Sequence, residues 1–158
     1  TGEIRAAVNI PFISLIDVTV EALAAHDVTH VGVMAAEGCL QAGLYQQALI
    51  AAGYQPVLWS AAELDRFMAL VYRVKAGERG ADLRAELSAL CTALVFAGAE
   101  VLVAGCTEIP LAMPGQTFED LPVIDPTRVL ARALIRETWP EKLRPTQVWS
   151  EQQKSSPD

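Results

Sequence analysis

The sequence predicts an α/β domain, a parallel sheet with helices on both faces. Three observations lead to it. Short apolar runs rich in Val and Ile alternate with longer segments that carry one apolar stripe. The changes between them fall at capping residues, glycines or prolines. One run, Val101-Leu102-Val103, has no polar break at all and reads as a buried strand.

Taken in order, Thr1 to Asn9 reads as the end of a helix. Ile10–Ile16 is expected as the first strand, entered through Pro11, and Asp17 as the cap of a helix reaching about His26. Val31–Ala35 is a second buried strand. The loop Ala36-Glu37-Gly38-Cys39 follows it, then a helix from about Leu40 to Ala52 that Gly53 closes. Gln55–Trp59 is a third strand, and Ser60 caps a helix through Lys75 that Gly77 and Gly80 break. From Asp82 to Ala97 runs a long helix with Leu83, Leu87, Leu90, Leu94 and Val95 on one stripe. The strand at Val101 comes next, then a loop over Met113–Leu121, a short strand Pro122–Ile124, and a helix from Asp125-Pro126-Thr127 to about Thr138. Past Trp139 the periodicity is lost, and the polar end from Ser150 to Asp158 is expected to be disordered. The resulting divisions are 1–9, a helix end; 10–124, the α/β unit; 125–139, a helix; and 140–158, a tail.

Composition narrows the function classes. With 52% hydrophobic and 20% charged residues, 158 residues suffice for one substantial core. A net charge of −7 argues against nucleic acid, which requires a clustered basic face. No apolar run reaches the roughly 18–20 residues that would span a membrane. Three cysteines, an odd number without paired spacing, make no disulfide framework, so a reducing, cytoplasmic setting is expected. His26 and His30 flank a loop without partners at metal-ligand spacing, and no metal is expected.

The stretch that carries chemistry is VLVAGCTEIPL, Val101 to Leu111. Gly105 before Cys106 allows backbone or ligand to come close. Thr107 is a plausible N-cap, and Pro110 fits a first helical turn. Cys106 is therefore placed at the carboxyl end of a strand, where open α/β sheets bind ligands. It also precedes a helix N-terminus, a setting that lowers a thiol pKa. Most cysteines are simply small buried hydrophobes, and Cys91, near the stripe of its helix, is read that way.

AGCTEIPL resembles the C-terminal cysteine signature of the aspartate/glutamate racemase family. Four further segments agree in the family's order: IPFISLIDVT (Ile10–Thr19), GLYQQAL (Gly43–Leu49), VYRVKAG (Val71–Gly77) and VIDPTRVLA (Val123–Ala131). The resemblance spans Ile10 to Leu134. Glutamate racemases usually carry His where Glu108 stands, so the chain is more similar to the aspartate or broad-specificity branch.

The resemblance implies one lobe of the two-lobed aspartate/glutamate racemase fold, and an isomerase that uses neither pyridoxal phosphate nor another cofactor. Inverting a carbon requires a base on each side of one planar intermediate, and the family places one cysteine in each lobe. The first belongs to an Asn-Thr-Ala-His-like segment that would precede Ala6. The chain is thus expected to hold the second lobe and Cys106, with its last helix returning toward the other lobe and only partly covered. The fragment alone is expected to be inactive, and the complete protein to be a homodimer acting on a small amino acid, aspartate, glutamate or similar.

By the same resemblance Thr107 lies near the substrate carboxylate, and Glu108 orients the thiol or the substrate amino group. Lys75 faces an acidic side chain. Gly38 and Cys39 occupy a Gly-Thr position that holds the α-carboxylate, and Cys39 in place of Thr puts the hydroxyl contact in doubt. Two rivals stand beside this reading. One is another reaction on the same fold: a hydantoin racemase, a maleate isomerase or an arylmalonate-decarboxylase-like enzyme. The other is a non-catalytic domain that binds small carboxylates.

Overall fold

The computed structural model describes residues 6–115 and 117–144. A five-stranded sheet in the order β2-β1-β3-β5-β4 organises it. The strands are β1 (His30–Met34), β2 (Gln55–Val57), β3 (Val101–Ala104), β4 (Thr117–Phe118) and β5 (Leu121–Ile124). β1 pairs in parallel with β2 and β3, and β3 with β5; only β4 runs antiparallel, at the edge. The helices are α1 (Leu15–Leu23), α2 (Glu37–Gln41), α3 (Leu44–Ala51), α4 (Ala61–Lys75), α5 (Ala81–Phe96), α6 (Ile109–Ala112) and α7 (Pro126–Thr138), with a 3₁₀ turn at Pro140–Lys142. Among the described residues no helix is long and apolar enough to cross a membrane.

The strand alternation sorts the core into two halves. Val31, Val33, Val101 and Val103 pack with Leu23, Tyr45 and Leu49, from α1 and α3, on one face. Met34, Leu102 and Ala104 pack with Phe67, Leu70, Val71, Leu87, Leu90 and Cys91, from α4 and α5, on the other. This accounts for the apolar run at Val101: a central strand covered on both faces has no position for a polar residue. Leu83, Leu87, Leu90 and Leu94 are buried as their stripe requires, and Cys91 is core, with its Sγ 3.6 Å from Met34 Sδ.

Several boundaries differ from expectation. Ile10–Ile16 is not a strand: residues 11–14 are irregular, and Leu15 and Ile16 already belong to α1. The cap is Ser14, whose Oγ accepts from the Asp17 amide at 3.2 Å, so Asp17 sits in the first turn. A β-branched apolar run resembled a strand, yet Pro11 removes a ladder donor and Ser14 starts a helix. The helix expected over Leu40–Ala52 is two helices, because Gly43 takes a left-handed conformation (φ 66°) that breaks the run. Gln55–Trp59 is strand only to Val57; Trp59 turns inward and donates from Nε1 to the Leu90 carbonyl at 2.9 Å. The expected helix end at 1–9 is described only from Ala6, and Ala6 and Ala7 are helical. The expected disordered tail lies outside the described residues from position 145 onward.

Ser60 caps α4 in a reciprocal box. Its Oγ accepts from the Glu63 amide at 3.4 Å while Glu63 Oε2 accepts from the Ser60 amide at 2.8 Å. The Ser60 side chain and then its amide hold the Glu63 carboxyl below the usual carboxylate range. The box therefore contributes fully at neutral pH and is lost as pH falls through that lowered pKa. Ser60→Ala is expected to cost about 1 kcal/mol, read as a melting temperature lower by about 2–4 °C. No change in thermal denaturation at pH 7 would show that the cap is not holding α4.

α4 does more than cover the sheet. Ser60 follows β2, Met68 Sδ accepts from the Glu37 amide just past β1 (3.4 Å), and Lys75 reaches Glu108 just past β3. The helix thus meets the carboxyl ends of three neighbouring strands in their order in the sheet.

α7 starts at Asp125, whose Oδ1 accepts from the Thr127 and Arg128 amides, and packs along α1. Ala133 is buried, Val129 and Leu130 are half-buried, and Leu134 is exposed. Its apolar stripe is only partly covered among the described residues.

Candidate active site

The parallel pairing of β1, β3 and β5 brings their carboxyl ends together, since Met34 is level with Ala104 and Val103 with Ile124. The segments that follow these strands, Ala35–Cys39, Gly105–Glu108 and Asp125, therefore share one edge, as do Gly38 and Cys106. Gly105 lets them close up. A Cβ there would stand 2.9 Å from Tyr45 Cε2 and 3.3 Å from the Met34 carbonyl oxygen. Any larger residue would push the Cys106 loop away from β1.

Cys106 is half-buried at this edge, and its Sγ donates to Glu108 Oε2 at 2.9 Å. The same oxygen accepts from Thr107 Oγ1 at 3.1 Å. The other carboxylate oxygen, Oε1, lies 3.7 Å from Lys75 Nζ. Glu108 is the shielded member, its side chain 13% exposed against 58% for Lys75. Cys106, Thr107, Glu108 and Lys75 thus form one connected group. Gly38 is exposed in the first turn of α2, and Cys39 packs toward the Tyr45 half of the core. Neither makes a described side-chain contact with that group.

Two local expectations are corrected. Thr107 does not cap a helix: Glu108 holds the N-cap position, in helical φ/ψ and without a side-chain cap, and Thr107 is exposed. The helix that follows is only four residues long, although Pro110 does sit in its first turn. The Cys106 thiol pKa is not lowered either. Burial, and then the Glu108 carboxylate that accepts its proton, push it up to about 11; the Glu108 backbone amide and, least, Lys75 oppose this. A one-turn helix carries too little aligned dipole to reverse that balance. Glu108 correspondingly lies below the usual carboxylate range, chiefly through the Cys106 hydrogen bond. The resting pair is a neutral thiol beside a charged carboxylate.

Burial raises Cys39 as well, and pushes Cys91 up to about 12. Sequence reasoning missed Tyr45, whose ring fills the space against Gly105 and whose hydroxyl is pushed up to about 12, mainly by burial. Only its place within the GLYQQAL segment could have marked it. Among the described residues no three His, Cys, Asp or Glu side chains are placed to hold a metal ion.

The structure is that of an α/β protein whose parallel sheet carries a thiol and a carboxylate just past its strand ends, with an ammonium brought to them by α4, at the edge where open α/β sheets bind ligands. Residues 1–134 match the Asp/Glu/Hydantoin racemase family, and the chain belongs to that family. It is 31% identical over 112 residues to an uncharacterised protein from the pnlA 3′ region of Pectobacterium carotovorum subsp. carotovorum, covering 71% of this chain and 74% of that relative. In fold it is similar to an aspartate racemase homologue of Pyrococcus horikoshii OT3 (TM-score 0.77, 22% identity, 86% of this chain and 60% of that one). It is also similar to the aspartate racemase of Picrophilus torridus (TM-score 0.62, 22% identity, 80% and 52%). The matched region thus spans little more than half the length of these solved structures.

Proposed function

We propose that the protein acts in the cofactor-independent racemisation of a small acidic amino acid, with Cys106 as one of two acid/base groups. The observation that carries this reading is the convergence of Cys106, Thr107, Glu108 and Lys75 at the carboxyl ends of the strands. Racemisation removes a weakly acidic α-proton from one face and returns a proton to the other. A thiol suits the task because it is compact and exchanges its proton readily. Cys106 serves one face only. Cys39 lies past β1 on the same edge, so it does not serve the opposite face, and a second lobe facing Cys106 supplies that group.

The remaining contacts divide the substrate between them. Thr107 and the backbone around Gly38 and Cys39 receive the α-carboxylate. Lys75, more than half exposed, is free to turn from Glu108 to an incoming side-chain carboxylate. That cation favours an acidic amino acid over a neutral hydantoin ring.

Lys75→Met, made in the complete two-lobed protein, tests the assignment. Loss of a hydrogen bond to a charged partner costs about 1.5–3 kcal/mol, so kcat/KM for aspartate and glutamate is expected to fall about 10–100-fold. Alanine and serine, if turned over, should change far less. Equal losses for acidic and neutral substrates would remove Lys75 from substrate recognition. Absence of α-proton exchange with any amino acid in deuterated water would favour a carboxylate-binding protein over a racemase.

A further inference from the structure

Gly105 is needed for room, not for backbone freedom. Its φ is not positive, so its conformation does not itself exclude a side chain. What excludes one is Tyr45, whose Cε2 would stand 2.9 Å from a Cβ at that position. The edge of the Tyr45 ring therefore packs against the backbone that leads into Cys106.

The ring is delivered there by Gly43. Its left-handed turn separates α2 from α3, and the re-aimed α3 turns Tyr45 and Leu49, one helical turn apart, toward the sheet. Only 2% of Tyr45 is exposed. Its hydroxyl meets Thr19 of α1, and it lies close enough to Cys39, past β1, and Asp125, past β5, for their charges to act on it. One side chain thus neighbours the segments that follow β1, β3 and β5. Burial keeps its hydroxyl protonated up to about 12, so it exchanges no proton near neutral pH and acts by its bulk.

We propose that Tyr45 is a positioning residue: its ring is the wedge that spaces the Cys106 loop from the Gly38–Cys39 loop, and so fixes the reach from the thiol to the α-carbon of a bound amino acid. The inference rests on Cys106 being the acid/base thiol and concerns what holds it at its distance. Chemistry and binding differ in their tolerance of that distance. Reacting atoms must stand about 3–3.5 Å apart, and a misplacement of about 1 Å costs about 100-fold. Attraction of a carboxylate to charges and dipoles decays only gradually with separation. A smaller wedge should therefore lower kcat more than it raises KM.

The test is a double-mutant cycle on kcat and KM in the complete two-lobed protein, with aspartate and glutamate as substrates. Tyr45→Leu is expected to lower kcat about 10–100-fold and to raise KM no more than about threefold. Tyr45→Phe keeps the ring and leaves Thr19 Oγ1 donating to the Leu15 carbonyl at 2.6 Å, so its kcat should stay within about threefold of the parent. Gly105→Ala forces its methyl against the ring and should also lower kcat about 10–100-fold. The other neighbours of that methyl, Ala35 Cβ at 3.2 Å and the Met34 carbonyl oxygen at 3.3 Å, need yield only a few tenths of an ångström. In the double variant the methyl enters space that the ring has left. Its loss should then fall about tenfold short of the product of the two single losses, whereas independent loosening of the fold would multiply them. If Tyr45→Leu does not fold, Tyr45→Met takes its place in the cycle. Full kcat in Tyr45→Leu or Gly105→Ala, a Tyr45→Phe loss as large as that of Tyr45→Leu, or losses that multiply would each overturn the inference. The two readings fail distinguishably: a parent that does not racemise removes both, and an active parent indifferent to Tyr45→Leu removes only the wedge.

Discussion

Cys106→Ser is expected to reduce racemisation of either enantiomer by the whole contribution of one acid/base group, about 10²–10⁴-fold. Serine preserves size and hydrogen bonding to Glu108 Oε2, so the loop should keep its place and substrate binding should change little. What is lost is acidity, because an alcohol gives up its proton far less readily than a thiol. The two enantiomers should then differ in deuterium exchange. The one whose α-proton is taken by the opposite group can still exchange it, and the other cannot. Proton wash-in followed for each enantiomer in deuterated water reads this directly. Full racemase activity in the variant would remove Cys106 from the chemistry.

The second large effect concerns the support beneath that loop. Phe67 is fully buried in α4 and packs on Trp59 with ring centroids 4.6 Å apart and planes tilted by 37°. Phe67→Ala should cost about 3–5 kcal/mol, the usual range for an aromatic deleted from a core that only partly collapses. For a domain of this size that lowers the melting temperature by about 6–20 °C. The environment of Trp59 should change with it, shifting its fluorescence before the global transition. A fall of under about 3 °C would mean that the Met34 half of the core is looser than its packing indicates.

Much of this architecture was legible because its determinants are local. Ser60 with Glu63 and Asp125 with Pro126 each announce a helix start within four residues, and the stripe from Leu83 to Leu94 predicts its own burial. The segment from Ile10 to Ile16 misled because composition favoured a strand while one hydroxyl, at Ser14, favoured a helix. At the site, the family signature pointed to Cys106, Glu108 and Lys75 one by one. It could not supply their contact, which depends on α4 passing from the end of β2 to the end of β3. Nor could it supply the sense of the thiol's shift. A strand end and a nearby helix suggested a lowered pKa, whereas burial, and then the carboxylate two residues on, decide the opposite.

The 3.7 Å link between Lys75 and Glu108 ties two properties that a lineage would otherwise adjust separately. Lys75 is delivered by the β2–α4 segment and Cys106 by the β3 loop, so mutation can reach them independently. A change at position 75 that retunes substrate choice also removes a charge beside Glu108, the carboxylate that accepts from Cys106. Drift in specificity here should therefore disturb the thiol's surroundings as well. Variants that escape this should show a second change at position 107 or 108.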